Sequence, residues 1–593
     1  MSDSTVETCS RRLGADLSPE GVRYSAWAPE KQKVSAHIRR TGSNEEIELQ
    51  LIKTDDGYFT ALDEKGRAGD LYTFAVDEQQ GLPDLASRYQ PQGLSGPSMV
   101  VDPKAYSWKT THWKIPSREQ VIYELHVGTF TQEGTYRAAC ERLDHLVELG
   151  VTTVELMPLA QCTGARNWGY DGVLLFAPYH VYGTPDDLRA FVDACHGHGL
   201  AVILDVVYNH IGAVGDSTHC YSKFFARSGD SGAWGKNYNL DGENSRAVRH
   251  FLLQNVAYWL DEFRFDGFRL DATHAIKDDS PRHFIAEATE FTHARGGIAI
   301  AEDERNCADI FKPVRDGGWQ LDAVWADDFH HTLRVSQTHE NHAYLGNYSG
   351  TTGEIADTLR HGWHYRGQTP PHEKKPRGTD SIHLPPSCFV HCISNHDQAG
   401  NRPFGERLNQ LISPAAYRAV SLFFCFTPYT PLIFMGQEWA ASSPFLFFSD
   451  HPADFGRLVT EGRQREFQFA ADKSGKALPD CQAESTFIES KLRWDESAQS
   501  PHREMFLLYR EALRLRHECF AGQNPPRDCW TVEAQPDRVS VIYHWPSRSL
   551  EVTLWTSRKT AATGKALLSS SEERFGGKSG ETGPQTIVIA RAE

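Results

Sequence analysis

The chain has 593 residues, more than one domain usually holds, so two or three domains are expected. Its formal charge is −17, from 61 basic against 78 acidic residues, which argues against the basic face that a nucleic-acid or anionic-membrane partner requires and suits a neutral substrate. The first residues are polar, without the apolar core of a signal peptide, and no uncharged apolar run is long enough to span a bilayer.

Residues 1–105 read as all-β. Val22–Ala28, Val34–Arg39, Glu46–Leu51 and Leu71–Val76 are short strand-like runs broken by polar turns, which predicts a small β-sandwich of the kind that carries carbohydrate modules. The Pro/Gly-rich stretch Leu82–Pro103 reads as a linker packed on the next domain. From about residue 121 apolar runs alternate with helical segments. The runs are Val121–Val127, Val151–Met157, Ala201–Tyr208, Asp266–Ala272, Ile298–Asp303, Ala323–Phe329, Phe389–Asn395 and Leu432–Glu438. Helical patterns cover Thr135–Leu149, Pro185–His198, Ser245–Phe263 and Arg282–His293. Eight strands with helices between them is the count of a (β/α)8 TIM barrel, and 106–520 is assigned to it, loop insertions included. A late helix spans His502–Glu518. Residues 521–593 return to β patterning, as in Val539–Trp545 and Leu550–Trp555, and read as a C-terminal β domain with a loosely ordered tail near Ser569–Gly583. The 12 cysteines are scattered, and the only close pair, Cys388 and Cys392, matches no zinc spacing. Free thiols in a reducing cytoplasm, and no metal, are expected.

In such a barrel, active sites collect at the C-terminal ends of the strands. Five runs end in carboxylates or histidines: Asp205-Val-Val-Tyr-Asn209-His210, Arg269-Leu-Asp271-Ala-Thr-His274, Glu302-Asp303, Asp327-Asp328-Phe-His330-His331 and Asn395-His396-Asp397-Gln398. Strand alternation puts Arg269 and Asp271 on one side, and Ile298, Ile300 and Glu302 likewise. A lone Asp at a strand end is commonly a turn former or helix cap, and Asp303 and Asp327 read equally well that way. Three strand ends aimed at one mouth read differently. Two facing carboxylates are the machinery that cleaves a glycosidic bond, one ionised and one protonated. Arg269 would keep Asp271 ionised as the nucleophile, and the apolar run before Glu302 would suit a proton donor. Asp397 would hold sugar hydroxyls, with His210, His274 and His396 as hydrogen-bond donors. Tyr170 and Trp234 are candidates to stack on sugar faces, though each reads also as a loop anchor.

These strand ends resemble the four short motifs of the α-amylase superfamily. The resemblance implies Asp271 as nucleophile, Glu302 as proton donor and Asp397 as transition-state stabiliser. Trp168–Gly172, Ser394–Leu408, Ala440–His451, Leu82–Val101 and Trp325–His331 look like segments of the malto-oligosyltrehalose trehalohydrolase family. That family's pattern adds Asp205, Arg269, Asp328, His330, His331, Gln398, Asn401 and Arg402 as expected substrate contacts. It implies hydrolysis of the α-1,4 bond beside a trehalosyl end, no cofactor, and a malto-oligosyltrehalose synthase as the source of substrate. Ala213 stands where Pro is expected and Thr273 where Val is expected, changes placed at the sugar-binding rim. No role is assigned to the polar insertion Gln368–Pro386. A glucan branching enzyme and a non-catalytic glucan-binding protein are the rival readings; water or a glucan hydroxyl as acceptor separates the first, loss of a carboxylate the second.

Overall fold

The computed structural model describes residues 12–43, 45–116, 119–232, 234–546, 548–556, 565–578 and 583–591. At its centre is a closed barrel of eight parallel strands in chain order: β1 Ile122–Leu125, β2 Thr153–Leu156, β3 Ala201–Val206, β4 Gly267–Leu270, β5 Ile298–Glu302, β6 Ala323–Trp325, β7 Phe389–Cys392 and β8 Thr430–Phe434. β8 pairs with β1 to close it. All eight expected runs contribute. Most are shorter than the sequence suggests, because the polar residues at their C-terminal ends leave the ladder and form the rim.

The sixth run departs furthest from expectation. Only Ala323–Trp325 is strand, and Asp328 already opens the helix Asp328–Thr338. Strand alternation therefore does not govern where Asp328, His330 and His331 point.

The helices follow their local signals. Pro185–Gly197 starts with a capping box between Thr184 and Asp187, with Pro185 in the first turn. Ser245–Phe263 matches the expected span and ends at Arg264 in the left-handed region, φ 56°. His502–Phe520 packs against the helix Pro414–Cys425.

Strand period two sets the barrel's interior. Ile122, Ile203, Ile300, Ala323, Trp325, Val390, Cys392 and Leu432 form one buried apolar cluster inside it. Two residues further along their strands stand Glu124, Asp205 and Glu302. The register sets Glu155 beside Glu124 and Arg269 beside Asp205. An apolar floor thus carries an ionic layer, which becomes the floor of the mouth.

The N-terminal residues form two facing sheets. Val34, Ala36 and Ile38 are buried while His37 and Arg39 are exposed, the alternation of a half-buried strand. The linker does pack on the barrel: the Arg88 guanidinium lies 5.0 Å from the Phe176 ring and 4.8 Å from that of Tyr258. At the other end Trp530–Gln535, Arg538–Trp545, Arg548–Trp555, Gln585–Arg591 and Lys565–Ser569 make a five-stranded sheet. Its described tail is not loose. Ser570 and Phe575 are buried, and the Thr586 hydroxyl donates to the Ala419 carbonyl, 2.8 Å.

The insertion Gln368–Pro386 has a structural role. Arg377 reaches Asp328 at 3.1 Å, and Thr379 Oγ1 accepts from the Ala308 N–H at 2.7 Å. The insertion clasps the loop after β5 to the helix after β6.

Candidate active site

Arg269 organises the mouth from below. Its side chain is fully buried, and Nη1 donates to Asp205 Oδ1 and Oδ2 at 2.9 and 2.8 Å and to Asp271 Oδ1 at 2.6 Å. Nη2 lies 2.8 Å from Glu302 Oε2. The guanidinium also covers the Trp325 ring at 4.3 Å. One cation thus ties the ends of β3, β4 and β5 together, with its charge compensated by carboxylates as a buried cation requires. Burial pushes Asp205 up to about 7, against the pull of Arg269.

Asp271 Oδ2 accepts from Asn209 Nδ2 at 2.6 Å, so both of its oxygens are held by donors. Asn209 in turn bonds His210, whose Nε2 faces the Tyr170 carbonyl at 3.1 Å. Ala272 then takes the left-handed region, φ 40° and ψ 53°, unusual for a residue with a Cβ. That turn aims its N–H at Glu302 Oε2, 2.9 Å away. Glu302 is therefore not in the apolar setting its strand suggests: one oxygen is taken by a guanidinium and a backbone N–H, and the other is left toward the cavity. Thr273 does not face sugar at the rim. It is buried and its hydroxyl donates to the Glu302 carbonyl at 2.9 Å and to Asp303 at 3.0 Å. Ala213 is exposed on its loop.

Asp397 sits in the first turn of the short helix His396–Gly400, capped by Asn395. Its Oδ1 accepts from Asn401 Nδ2 at 2.9 Å, and its Oδ2 lies 3.5 Å from His396 Nε2. The other ring nitrogen of His396 is 2.5 Å from Glu124 Oε1. Burial disfavours the imidazolium, but the Asp397 and Glu124 carboxylates outweigh it and hold His396 up at about 10.

The cavity above these groups measures about 520 Å³. Tyr170, His210, Trp234, Asp271, His274, Glu302, His396, Asp397 and Asn401 line it. Side-chain exposure rises from Asp271 at 13% to Glu302 at 21% and Asp397 at 34%, so all three carboxylates open to it. Asp205 and Arg269 lie beneath and do not line it. Tyr170 is partly committed elsewhere, its hydroxyl donating to Asp205 at 2.6 Å and its ring stacked on His396 at 5.1 Å.

Besides Asp205 and Arg269, five more expected contacts lie outside the cavity. Asp328 is buried, and its two oxygens accept from Tyr348, Arg377, Asn306 and the backbone of His364 and Tyr365, which leaves no lone pair for a sugar. His330 and His331 are buried on the same helix, and burial drives both downward, His331 to about 3. Gln398 accepts from the Tyr344 hydroxyl at 2.8 Å, and Arg402 pairs with Glu340 and Glu406. These contacts turn them toward neighbouring loops rather than toward the cavity.

The structure adds groups that the strand-end reasoning passed over. Asp171, Glu304, Phe447 and Phe448 line the cavity. Asp303 is the turn residue it could equally be, bonding Arg305. Asp327 is not a cap: its side chain makes no cap hydrogen bond, and burial and then the Glu302 and Asp397 carboxylates push it up to about 7. Glu124 and Glu155 had one visible signal, a carboxylate inside an otherwise apolar strand.

The family model described as alpha amylase, catalytic domain, matches residues 107–231. The chain is 42% identical over 516 residues to the malto-oligosyltrehalose trehalohydrolase of Deinococcus radiodurans, covering 86% of this chain and 83% of that one. It is similar to a crystal structure from Salmonella typhimurium described provisionally as an alpha amylase, with a TM-score of 0.88, 36% identity, and coverage of 98% of this chain and 100% of that one. Likeness to a 1,4-alpha-glucan branching enzyme of Pseudoalteromonas atlantica is partial, 29% identity over 53% of this chain and 49% of that one.

Proposed function

The chain belongs to the malto-oligosyltrehalose trehalohydrolase family, and from that premise we propose that it hydrolyses the α-1,4-glucosidic bond next to the terminal trehalose unit of malto-oligosyltrehalose, releasing trehalose and a maltooligosaccharide. One observation carries the chemistry: Arg269 holds Asp271 and Glu302 on a single buried cation, at a mouth shared with Asp397. Asp271, ionised beside that cation, attacks the anomeric carbon and displaces the glucan oxygen. Glu302 gives that oxygen its proton. With Oε2 held by Ala272 N–H and Arg269, the proton travels on Oε1. Glu302, now ionised, takes a proton from water as the water attacks the same carbon and releases Asp271, so the configuration is retained. Asp397 and His396 hold the sugar hydroxyls through the positively charged transition state. Asn401 and His274 stand at the cavity wall for the same purpose. No step calls for a metal or an organic cofactor.

The substrate implies an enzyme upstream that converts a maltodextrin end into a trehalosyl end. We assign the chain to the cytoplasm, on thiols such as those of Cys162, Cys195, Cys388 and Cys392, which form no disulfide. No helix among the described residues is long and apolar enough to cross a membrane.

The test is product analysis with maltotriosyl trehalose, maltopentaose and amylose in parallel. Free trehalose plus maltotriose, with maltopentaose cut much more slowly, is the expected result. New α-1,6 branches in amylose without trehalose release would move the chain to glucan transfer. Binding without turnover would end the enzyme reading.

A further inference from the structure

The histidine beside Asp397 is anchored from the opposite side. His396 Nδ1 lies 2.5 Å from Glu124 Oε1, and the His396 backbone N–H donates to Glu124 Oε2 at 3.1 Å. Nε2 points the other way, 3.5 Å from Asp397 Oδ2. Carboxylates accept and do not donate when ionised, so a ring with one on each side needs a hydrogen on both nitrogens. The ring cannot turn out of this arrangement: Tyr170 stacks on it, and Trp168 meets it edge-on at 5.5 Å. Glu124 and His396 are both almost fully buried.

We propose that Glu124, on β1 beneath the mouth, is a positioning residue that anchors His396 from below so that its Nε2–H stays directed at Asp397. The proposal rests on the reading of Asp397 as a working carboxylate. The arrangement repeats the one beside it. Asp205 holds Arg269 from below and Arg269 reaches up to Asp271; Glu124 holds His396 from below and His396 reaches up to Asp397. Each exposed carboxylate has a buried cation behind it, and each cation has a buried carboxylate behind that.

The groups facing His396 come from every strand packed against it. Glu124 and Asp397 favour the charged ring, and Arg269 opposes it. Asp205 on β3 and Glu155 on β2 also feel it, as does His126 just past β1. Glu155 has no hydrogen-bond partner for either oxygen, and burial beside Glu124 pushes it far up. Glu155 therefore does not compete for the ring, and Glu124 is the carboxylate that engages it.

The experiment has two readouts on Glu124→Gln and Glu124→Asp in the full chain. The first needs no substrate. With ¹⁵N-histidine labelling, and His396→Gln to identify the signal, the wild-type His396 ring is expected to stay doubly protonated well past neutral pH, and to lose its proton near neutral pH in Glu124→Gln. The second is the pH profile of kcat/KM on maltotriosyl trehalose. Glu124→Gln is expected to fall further below wild type as the pH rises from about 5.5 to about 8.5, by roughly tenfold over that range, the size of one lost charge-assisted interaction. Glu124→Asp keeps the anion and is expected to keep the wild-type profile shape. A wild-type ring that titrates with the other histidines overturns the proposal, and so does a loss in Glu124→Gln that is the same at every pH. If Glu124→Gln does not fold, the wild-type ring and Glu124→Asp decide the matter. A wild type that releases no trehalose would sink the functional reading and leave the ring measurement standing.

Discussion

The runs after β6 and β7 both bring aspartate and histidine together, Asp327-Asp328-Phe-His330-His331 against Asn395-His396-Asp397-Gln398, yet they are used for different things. After β7 a short helix turns His396 and Asp397 into the cavity. After β6 a long helix begins at once and carries Asp328, His330 and His331 down into packing. Both helices open at the second residue of the run, after Asp327 and after Asn395, so the helix start does not separate them. What separates Asp328 and Asp397 is how many donors their oxygens meet, and so whether any lone pair is left toward the cavity. Asp397 has one donor from a side chain besides its histidine, whereas Asp328 has five.

The sharpest way to break the comparison is to make one substitution at both ends. Asp397→Asn, with Asp271→Asn as reference, is expected to lower kcat/KM on the order of 10³-fold or more while the melting temperature holds or rises slightly. Activity above a tenth of wild type in Asp397→Asn would remove it from the mechanism. Asp328→Ala should behave in the opposite way. It leaves the half-buried Arg377 with only Glu373 and strips the acceptor from Tyr348, Asn306 and two backbone N–H groups, each costing about 1–3 kcal/mol when left buried and unpaired. Thermal unfolding should drop by several degrees, with the active fraction of enzyme keeping a near-normal KM. A stable Asp328→Ala enzyme with a raised KM would restore it as a substrate contact.

The two histidines sharpen the comparison by pH. His396 is held at about 10, above its ordinary value, so it contributes stability that is fully present below pH 6.5 and is lost as the pH rises toward 10. His331 is held at about 3 by burial, so its folded state resists protonation and stability is lost as the pH falls from 6.5 toward 3. Melting temperatures of His396→Gln should therefore fall less steeply than wild type on the alkaline side, and those of His331→Gln less steeply on the acid side. Parallel curves for both variants would mean that neither ring keeps its assigned charge.

Much of this was legible in the sequence because periodicity survives packing. Eight apolar runs mark the barrel, and Arg269, Asp271 and Glu302 share an inward side by simple alternation. Asp397 followed from its place at a strand end. What alternation could not show is where a strand stops. The run Ala323–Phe329 reads as one strand, but only Ala323–Trp325 is strand and Asp328 opens a helix, so a period of two does not hold beyond Trp325. Nor could it show what a side chain meets from another strand. The apolar run before Glu302 says nothing of the guanidinium from β4 that reaches its oxygen. Glu124 and Glu155 were visible only as misfits in apolar strands, and the partner of Glu124, His396, is 272 residues away in sequence.

The smallest expected effect separates the two aromatics at the mouth. Tyr170 spends its hydroxyl on Asp205 and one ring face on His396, so its removal disturbs the ionic layer as well as any sugar it touches. Trp234 is 54% exposed, and its nearest ring neighbour is His210 at 6.2 Å, tilted by 42°. A large apolar ring left open beside the cavity has little packing to lose, so its truncation should register in binding alone. Trp234→Ala is expected to raise KM for maltotriosyl trehalose about 3- to 10-fold, the scale of one aromatic contact, with kcat and melting temperature unchanged. Tyr170→Ala should lower kcat and melting temperature together. If Trp234→Ala leaves KM untouched, its ring is a loop residue and the sugar platform lies elsewhere on the rim. If instead it lowers kcat at constant KM, the ring acts on the bond-breaking step through His210, and the rim and the ionic layer are less separate than the hydrogen bonds suggest.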